Sequence, residues 1–419
     1  MASVRQIKQS GGADDLASRF HATRALTEAL AAPLSDADAT VQSMPDASPA
    51  KWHLAHTTWF WETFLLRDHL PGYRLFDERW PFLFNSYYEA EGERVARGAR
   101  GMLSRPSLAE ALDYRAHVTG AMEPLLRRED RADLIALGIA HEQQHQELLL
   151  TDIKHALFQN PLGSAMFEET ANVSPRAGGD SPMSSAWLEH PGGIAMIGHA
   201  GAAFAFDNEG PQHRVLLEPF ALADRLVTNG EWIAFIEDGG YRTVALWLAD
   251  GWAWVQREAV TAPLYWRQGD RGWEQFTHAG WQAVDPARPV THIAYYEADA
   301  FATWAGLRLP TEFEWEALAD DPAGGNQLDR AAAPLPVGGT GSLFGDCWQW
   351  TRSAYLPYPR FQAAEGAVGE YNGKFMSGQF VLKGASCATA REHSRASYRN
   401  FFYPHQRWQF TGLRLAKDL

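Results

Sequence analysis

The segment SPRAGGDSPMSS, Ser174 to Ser185, separates two stretches of unlike pattern, and this break most constrains what the 419-residue chain can fold into. Before it run long Ala- and Leu-rich stretches with helical spacing. After it come short apolar runs punctuated by Gly and Trp, with few long helical periods. A chain of this length is too long for one typical domain. The pattern predicts an α+β two-domain protein: a helical domain over residues 1–170, a linker over 171–185, and a mixed, loop-rich domain over 186–419.

Four helices are expected in the first part. One covers Asp14 to Ala32. A second begins at Ser48, with Pro49 at the first helical position, and stops near Leu70 at Pro71-Gly72. The third begins at Ser107, where Glu110 completes a capping box, and runs to about Arg128 with a kink expected at Pro124. The fourth runs from near Asp133 to Gln159 and ends at Asn160-Pro161. Four helices with links of varied length predict a bundle. The long link from Leu70 to Ser107 carries FNSYYE, and long links are often functional. In the second part, TNGEWIAFIEDGG, EADAFATWAG and TEFEWEALADD are the clearest helical stretches.

Composition narrows the function. The apolar share is 46%, ample for packed cores. No apolar run reaches the roughly 18 residues that span a membrane, and MASVRQIKQSGGADD has no signal-peptide core, so a cytoplasmic protein is expected. A net charge of −14 argues against a nucleic-acid partner. Two cysteines, Cys347 and Cys387, are too few for a disulfide framework or a thiolate zinc cage. Aromatic residues make up 12% of the chain, and some of them could line a pocket for a flat or cationic ligand.

The chemistry concentrates in HEQQHQELLLTD, His141 to Asp152. His141 and His145 are one helical turn apart, with backbones about 6 Å apart on one face. By itself this pair reads more readily as a solvated polar helix face than as a metal site. KWHLAHTTWFWETF, Lys51 to Phe64, changes the balance. It offers His53 and His56 on an aromatic, core-facing helix, where a histidine needs a partner. Three neutral imidazoles with open positions suit zinc, iron or nickel. Glu147 lies roughly 200° round the helix from His145, so it is placed to orient a neighbour rather than to ligate. His155 reads as an ordinary helix-end residue.

The motifs HLAH, FNSYYEA, HEQQHQELLLTDIKH, FAFDNEGPQH, LVTNGEW, RLPTEFEWEAL, GEYNGKFM, YRNFF and RWQFTGLRLA together resemble the ergothioneine-biosynthesis sulfoxide synthases. The resemblance runs from about residue 15 to 417. It implies an N-terminal DinB-like four-helix bundle and a C-terminal domain of the formylglycine-generating-enzyme, C-type-lectin-like kind. It implies one Fe(II) held by His56, His141 and His145, leaving His53 to pack or to orient a ligand. The implied reaction uses dioxygen to join a chalcogen donor to C2 of the imidazole of hercynine (Nα-trimethylhistidine). In the selenoneine synthase branch that donor is a selenosugar.

The resemblance also implies roles for single residues. Tyr87 or Tyr88 would supply a proton. Gln144 would hydrogen-bond the substrate imidazole, and Asn400 and Phe401 would hold the betaine end. Phe402 stands where γ-glutamylcysteine-using relatives carry an acid, which argues against that donor. Departures from the cysteine-using pattern fall in the second domain: GDCWQW with Cys347 and Gln349, KGASCATA with Lys383, Ala385 and Ala390, and Ser377. Gln349 in place of a glutamate is expected to remove a charge near a pocket wall. The donor is therefore either a selenosugar or a cysteine-type thiol. A different class of function stays open on the same histidines: a zinc-dependent DinB-like thiol transferase or hydrolase.

Overall fold

A computed structural model describes residues 13–168, 186–319, 324–363, 369 and 372–419. The expected linker over 171–185 lies outside the described residues. The chain divides into two compact units. One comprises Met1–Ala156, His199–Gly210 and Gln362–Asn372; the other comprises Leu157–Gly198, Pro211–Phe361 and Gly373–Leu419. No helix among the described residues is long and apolar enough to cross a membrane.

The first unit is helical. Its elements are α1 (Ala13–Ala31), α2 (Asp36–Thr40), α3 (Ala50–Trp61), α4 (Trp80–Phe84), α5 (Leu108–Met122) and α6 (Ala132–Gln159). Each of the four expected helices is present. Every residue of α3 is buried, as expected for a helix that is aromatic and apolar around most of its circumference. It continues into a π-helical turn, Glu62–Arg67. Ser48 does not cap α3 as expected: the helix begins after Pro49 with no side-chain cap. The Ser48 hydroxyl instead accepts from Arg100 at 2.9 Å. The capping box on α5 forms as expected, with Ser107 and Glu110 satisfying each other's backbone N–H groups. The helix stops at Met122 rather than kinking onward, because Pro124 has no N–H for the next rung and its ring crowds the preceding turn.

These helices close on an aromatic core that includes Phe20, Trp52, Trp59, Trp61, Phe64, Tyr114 and Ile139. Gly138 on α6 lets that helix lie directly against α3. A Cβ there would come within 2.5 Å of the Trp61 ring.

The second unit is mixed and rich in loops. Its strands are β1 (Trp187–His190), β2 (Gly193–Ile197), β3 (His213–Leu217), β4 (Phe220–Ala223), β5 (Trp266–Gly269), β6 (Gly272–Thr277), β7 (Gly280–Ala283), β8 (Trp348–Ala354), β9 (Phe380–Lys383), β10 (Asn400–Phe402), β11 (Thr411–Gly412) and β12 (Ala416–Asp418). Among the described residues they form sheets ordered β1-β4-β12, β10-β9-β8-β11, β2-β3 and β5-β6-β7. Only β11 pairs in parallel, with β8.

Helices α7 (Asn229–Glu237), α8 (Ala249–Glu258), α9 (Tyr295–Trp304) and α10 (Glu312–Leu318) complete this unit. The Thr-x-x-Glu sequences that open TNGEW and TEFEWEAL are the capping boxes of α7 and α10. Trp315, Phe220, Leu222 and Phe344 pack together in its core.

Gln349 is in this core and not at a pocket wall, which corrects the sequence expectation. Its amide donates to the Leu343 carbonyl at 2.6 Å and accepts from Trp315 at 2.9 Å and Arg414 at 3.0 Å. Lys383 is likewise fully buried and paired with Glu316 at 2.9 Å. Cys347 and Cys387 are buried thiols, not bridged, and burial pushes the Cys347 thiol well above its ordinary range.

Candidate metal centre

His56 comes from α3, and His141 and His145 come from α6. One ring nitrogen of each lies within 4.8 Å of those of the other two, and all three residues are buried. Helical spacing puts His141 and His145 on one face, with ring centroids 4.7 Å apart. The His56 ring lies 5.0 Å from His141 and 4.7 Å from His145. Trp52 and Trp59, one turn either side of His56, stack on it at 4.5 and 5.5 Å.

Hydrogen bonding sets which nitrogens face inward. Nδ1–H of His56 donates to the Phe84 carbonyl at 2.6 Å. That bond leaves Nε2 with a lone pair. Phe84 opens FNSYYEA, so the long link that drew attention in the sequence fixes one histidine. His53 Nδ1 is 2.9 Å from His145 Nδ1, and His53 Nε2 is 3.1 Å from Asp152 Oδ2. His141 has no hydrogen-bond partner on either ring nitrogen. A buried, unsatisfied imidazole is costly in a finished core. It is what remains when a ligand atom's natural partner is a cation.

Burial pushes His141 down to about 4. Burial, reinforced by the neighbouring imidazoles, holds His56 and His145 well below the usual histidine range. His53 is also lowered by burial, against the opposing pull of Asp152. The three converging imidazoles are therefore neutral at physiological pH, the form in which histidine ligates. The donor set fits one borderline divalent transition metal.

Glu142, beside His141, is fully buried and takes four donors. Arg24 and Trp61 each reach Oε2 at 3.0 Å, while Arg115 and Thr27 each reach Oε1 at 2.8 Å. Burial alone would raise its carboxyl, but the two guanidiniums and these hydrogen bonds outweigh it and hold the group well below the usual range. This network clamps α6 to α1, α3 and α5 at the height of the histidines. It went unread in the sequence, where Glu142 belonged to a run of polar residues.

A cavity of about 40 Å³ opens on the three histidines. It is lined also by Ser48, Tyr87, Tyr88, Arg97 and Arg100. The Tyr87 hydroxyl accepts from Arg97 at 2.8 Å. Tyr88 is buried against Trp59 and Phe64, with ring centroids 5.5 and 5.2 Å away. Arg100, itself buried, lies over the Trp52 ring at 3.4 Å and donates to Ser48 and Ser86 at 2.9 Å each. Burial lowers it to about 9.

Gln144 is half-buried on α6 and is not among the residues lining this cavity. Glu147 is also half-buried, and the carboxylate next to a histidine of this cluster is Asp152. His155 bonds Ser43 at 2.7 Å, apart from the cluster. Asn400, Phe401 and Phe402 form β10 in the second unit, all half-buried. There Phe401 stacks on Tyr355 at 4.1 Å. Tyr355 also faces Arg399, whose guanidinium is bound at both ends by Glu312 at 2.8 and 3.0 Å.

Asp152 had a signal in the sequence. It follows His145 by two helical turns and so shares its face. Arg97 and Arg100 had none beyond their place in the long link.

Comparison with known proteins agrees with both halves of the chain. The DinB superfamily model matches residues 19–151, and the sulfatase-modifying factor enzyme 1-like domain model matches residues 180–332. The chain is 35% identical over 423 residues to hercynine oxygenase of Mycolicibacterium thermoresistibile, covering 92% of this chain and 90% of that protein. It is 33% identical over 416 residues to hercynine oxygenase of Mycobacterium tuberculosis, covering 92% and 94%. Ergothioneine biosynthesis protein 1 of Schizosaccharomyces pombe matches 51% of this chain at 28% identity, over 28% of its own length. Identity at this level over nearly the whole of both chains, together with the paired domains, makes this protein an oxygenase of the hercynine oxygenase family.

Proposed function

We propose that this enzyme binds one Fe(II) through His56, His141 and His145 and uses dioxygen to form a carbon–chalcogen bond at C2 of the imidazole of hercynine, with a cysteine-type thiol or a selenosugar as donor. The observation that carries the reading is the buried, neutral histidine triad with an unsatisfied His141, in a chain related to hercynine oxygenases over nearly its full length. Iron(II), once bound, supplies the electrons that activate dioxygen.

The chain's own residues do the rest. Trp52 and Trp59 stack on His56 and fix its ring. Tyr87 is assigned the proton-donating role of the tyrosine pair, because it lines the cavity on the histidines and its hydroxyl accepts from the Arg97 guanidinium. Tyr88 packs as part of the cavity wall. The roles that the resemblance implies for Gln144, toward an imidazole, and for Asn400 and Phe401, toward a betaine, remain proposals for each unit by itself; the aromatic face of Phe401 suits a quaternary ammonium. Phe402 places no charge where an acidic residue would meet a γ-glutamyl group.

The test is turnover by protein purified anaerobically, loaded with Fe(II), and given hercynine, O₂ and either cysteine, γ-glutamylcysteine or a selenosugar. A new imidazole–chalcogen product resolved by mass is expected, and equal concentrations of cysteine and selenosugar in one reaction identify the donor. His141→Ala is expected to abolish product while hercynine still binds. Absence of product with every donor overturns the proposal. Turnover of a thiol substrate by the zinc-loaded protein under argon would instead favour a zinc-dependent transferase.

A further inference from the structure

We infer that His53 and Asp152 form a positioning relay that presets the metal-binding tautomer of His145. The inference rests on the reading of His56, His141 and His145 as metal ligands. It concerns two residues outside the histidine triad, of which His53 also lines the cavity.

The hydrogen-bond chemistry runs one way along the chain. The Asp152 carboxyl is buried and presents Oδ2 as an acceptor. It accepts from the backbone N–H of Ser48 at 2.8 Å and from Nε2–H of His53 at 3.1 Å. With its proton on Nε2, neutral His53 has a lone pair at Nδ1. That lone pair lies 2.9 Å from Nδ1 of His145. Two lone pairs cannot face each other at this distance, so His145 must carry its proton on Nδ1 and donate it. Its Nε2 then bears a lone pair, which is the ligating form. Every group along the relay is buried: Asp152 is 3% exposed, His53 2% and His145 7%, so no water substitutes for a missing link.

The three ligands are therefore prepared differently. His56 leans on a neutral carbonyl, His141 on nothing, and His145 on a chain that ends in a carboxylate. A carboxylate behind an imidazole fixes its orientation and raises its basicity as a ligand. Here an intervening histidine carries that effect one residue further. The same Ser48 that anchors Asp152 through its N–H also holds Arg100 through its hydroxyl at 2.9 Å. The relay is thus tied at its far end to the cavity wall.

The experiment measures binding of Co(II) alone, by competition with a chromophoric chelator and by visible absorption, in the full chain. His53→Phe removes the link at similar bulk, Asp152→Ala removes its end, and Asp152→Asn keeps an oxygen that accepts from both Ser48 and His53. Removal of such a partner typically weakens metal binding about 10–100-fold. That loss is expected for His53→Phe and for Asp152→Ala, with the double variant little worse than the weaker single one. Asp152→Asn is expected to recover most of the affinity. Gln159→Ala, at the exposed end of the same helix, is expected to bind as the unaltered protein does.

Unaltered affinity in His53→Phe overturns the relay. So do additive losses in the double variant, or an equal loss in Gln159→Ala, which would reveal general weakening of the helix. Failure of the unaltered protein to bind Co(II) would overturn the metal site itself, a result distinct from the others.

Discussion

Glu142 and His141 are neighbours in the chain, yet one is bound by two guanidiniums and the other has no hydrogen-bond partner on either ring nitrogen. Glu142 is matched by two arginines whose own burial would be prohibitive without it: burial lowers Arg24 to about 10 even with the carboxylate present. Removing one member of a buried ion network leaves an uncompensated charge and costs about 3–5 kcal/mol, more than the modest gain from replacing the whole network with apolar groups. Glu142→Leu is therefore expected to lose about 3–5 kcal/mol of unfolding free energy, measured by urea denaturation. None of this was legible locally, because the partners lie 118 and 27 residues away along the chain. The histidines were legible, since one-turn spacing on a helix is a local property.

At the scale of elements, the site depends on how closely α3 and α6 approach. Gly138 permits the contact, and the Trp61 ring it meets cannot swing aside because its N–H is held by Glu142 at 3.0 Å. For Gly138→Ala, helix propensity favours the variant by about 1 kcal/mol. Overpacking against a fixed ring opposes it by about 1–3 kcal/mol. The clash is expected to win, giving a lower thermal midpoint and, since the proposed ligands are His141 and His145 on α6 and His56 on α3, weaker Co(II) binding in the same protein. The helices themselves were readable from periodicity, caps and breakers. The end of α5 at Met122 is not legible in the sequence, because a proline inside an apolar period can either kink a helix or stop it and only packing decides which. The short helices α2 and α4 are single turns too brief for a period to show.

At the scale of the whole molecule, the histidines of the helical unit sit beside an extensive apolar core, from Phe20 through Ile139. A core of this size is expected to hold the fold by itself, unlike small domains that are unfolded without their ion. Protein stripped with a chelator is expected to keep its far-UV circular dichroism and a cooperative thermal transition while losing turnover. Adding back metal at 100 times its dissociation constant is expected to stabilise the fold by about 2.7 kcal/mol, read as a higher midpoint. Collapse of the helical signal on chelation would show that the triad folds the bundle rather than resting on it.

From the sequence alone came the two-part organisation, the main helices, the family resemblance and, through that resemblance, the expectation that His56, His141 and His145 form a metal triad. Each rests on a local period, a cap or a contiguous motif. Only the tertiary structure decided the remainder: that His53 stands between Asp152 and His145, that Glu142 is clamped by Arg24 and Arg115, and that Gln349 belongs to a core and not to a pocket wall. Hydrogen bonds between residues far apart in the chain leave no spacing to read. Which polar side chain is buried, and what satisfies it there, is set by the packing of helices and strands against one another.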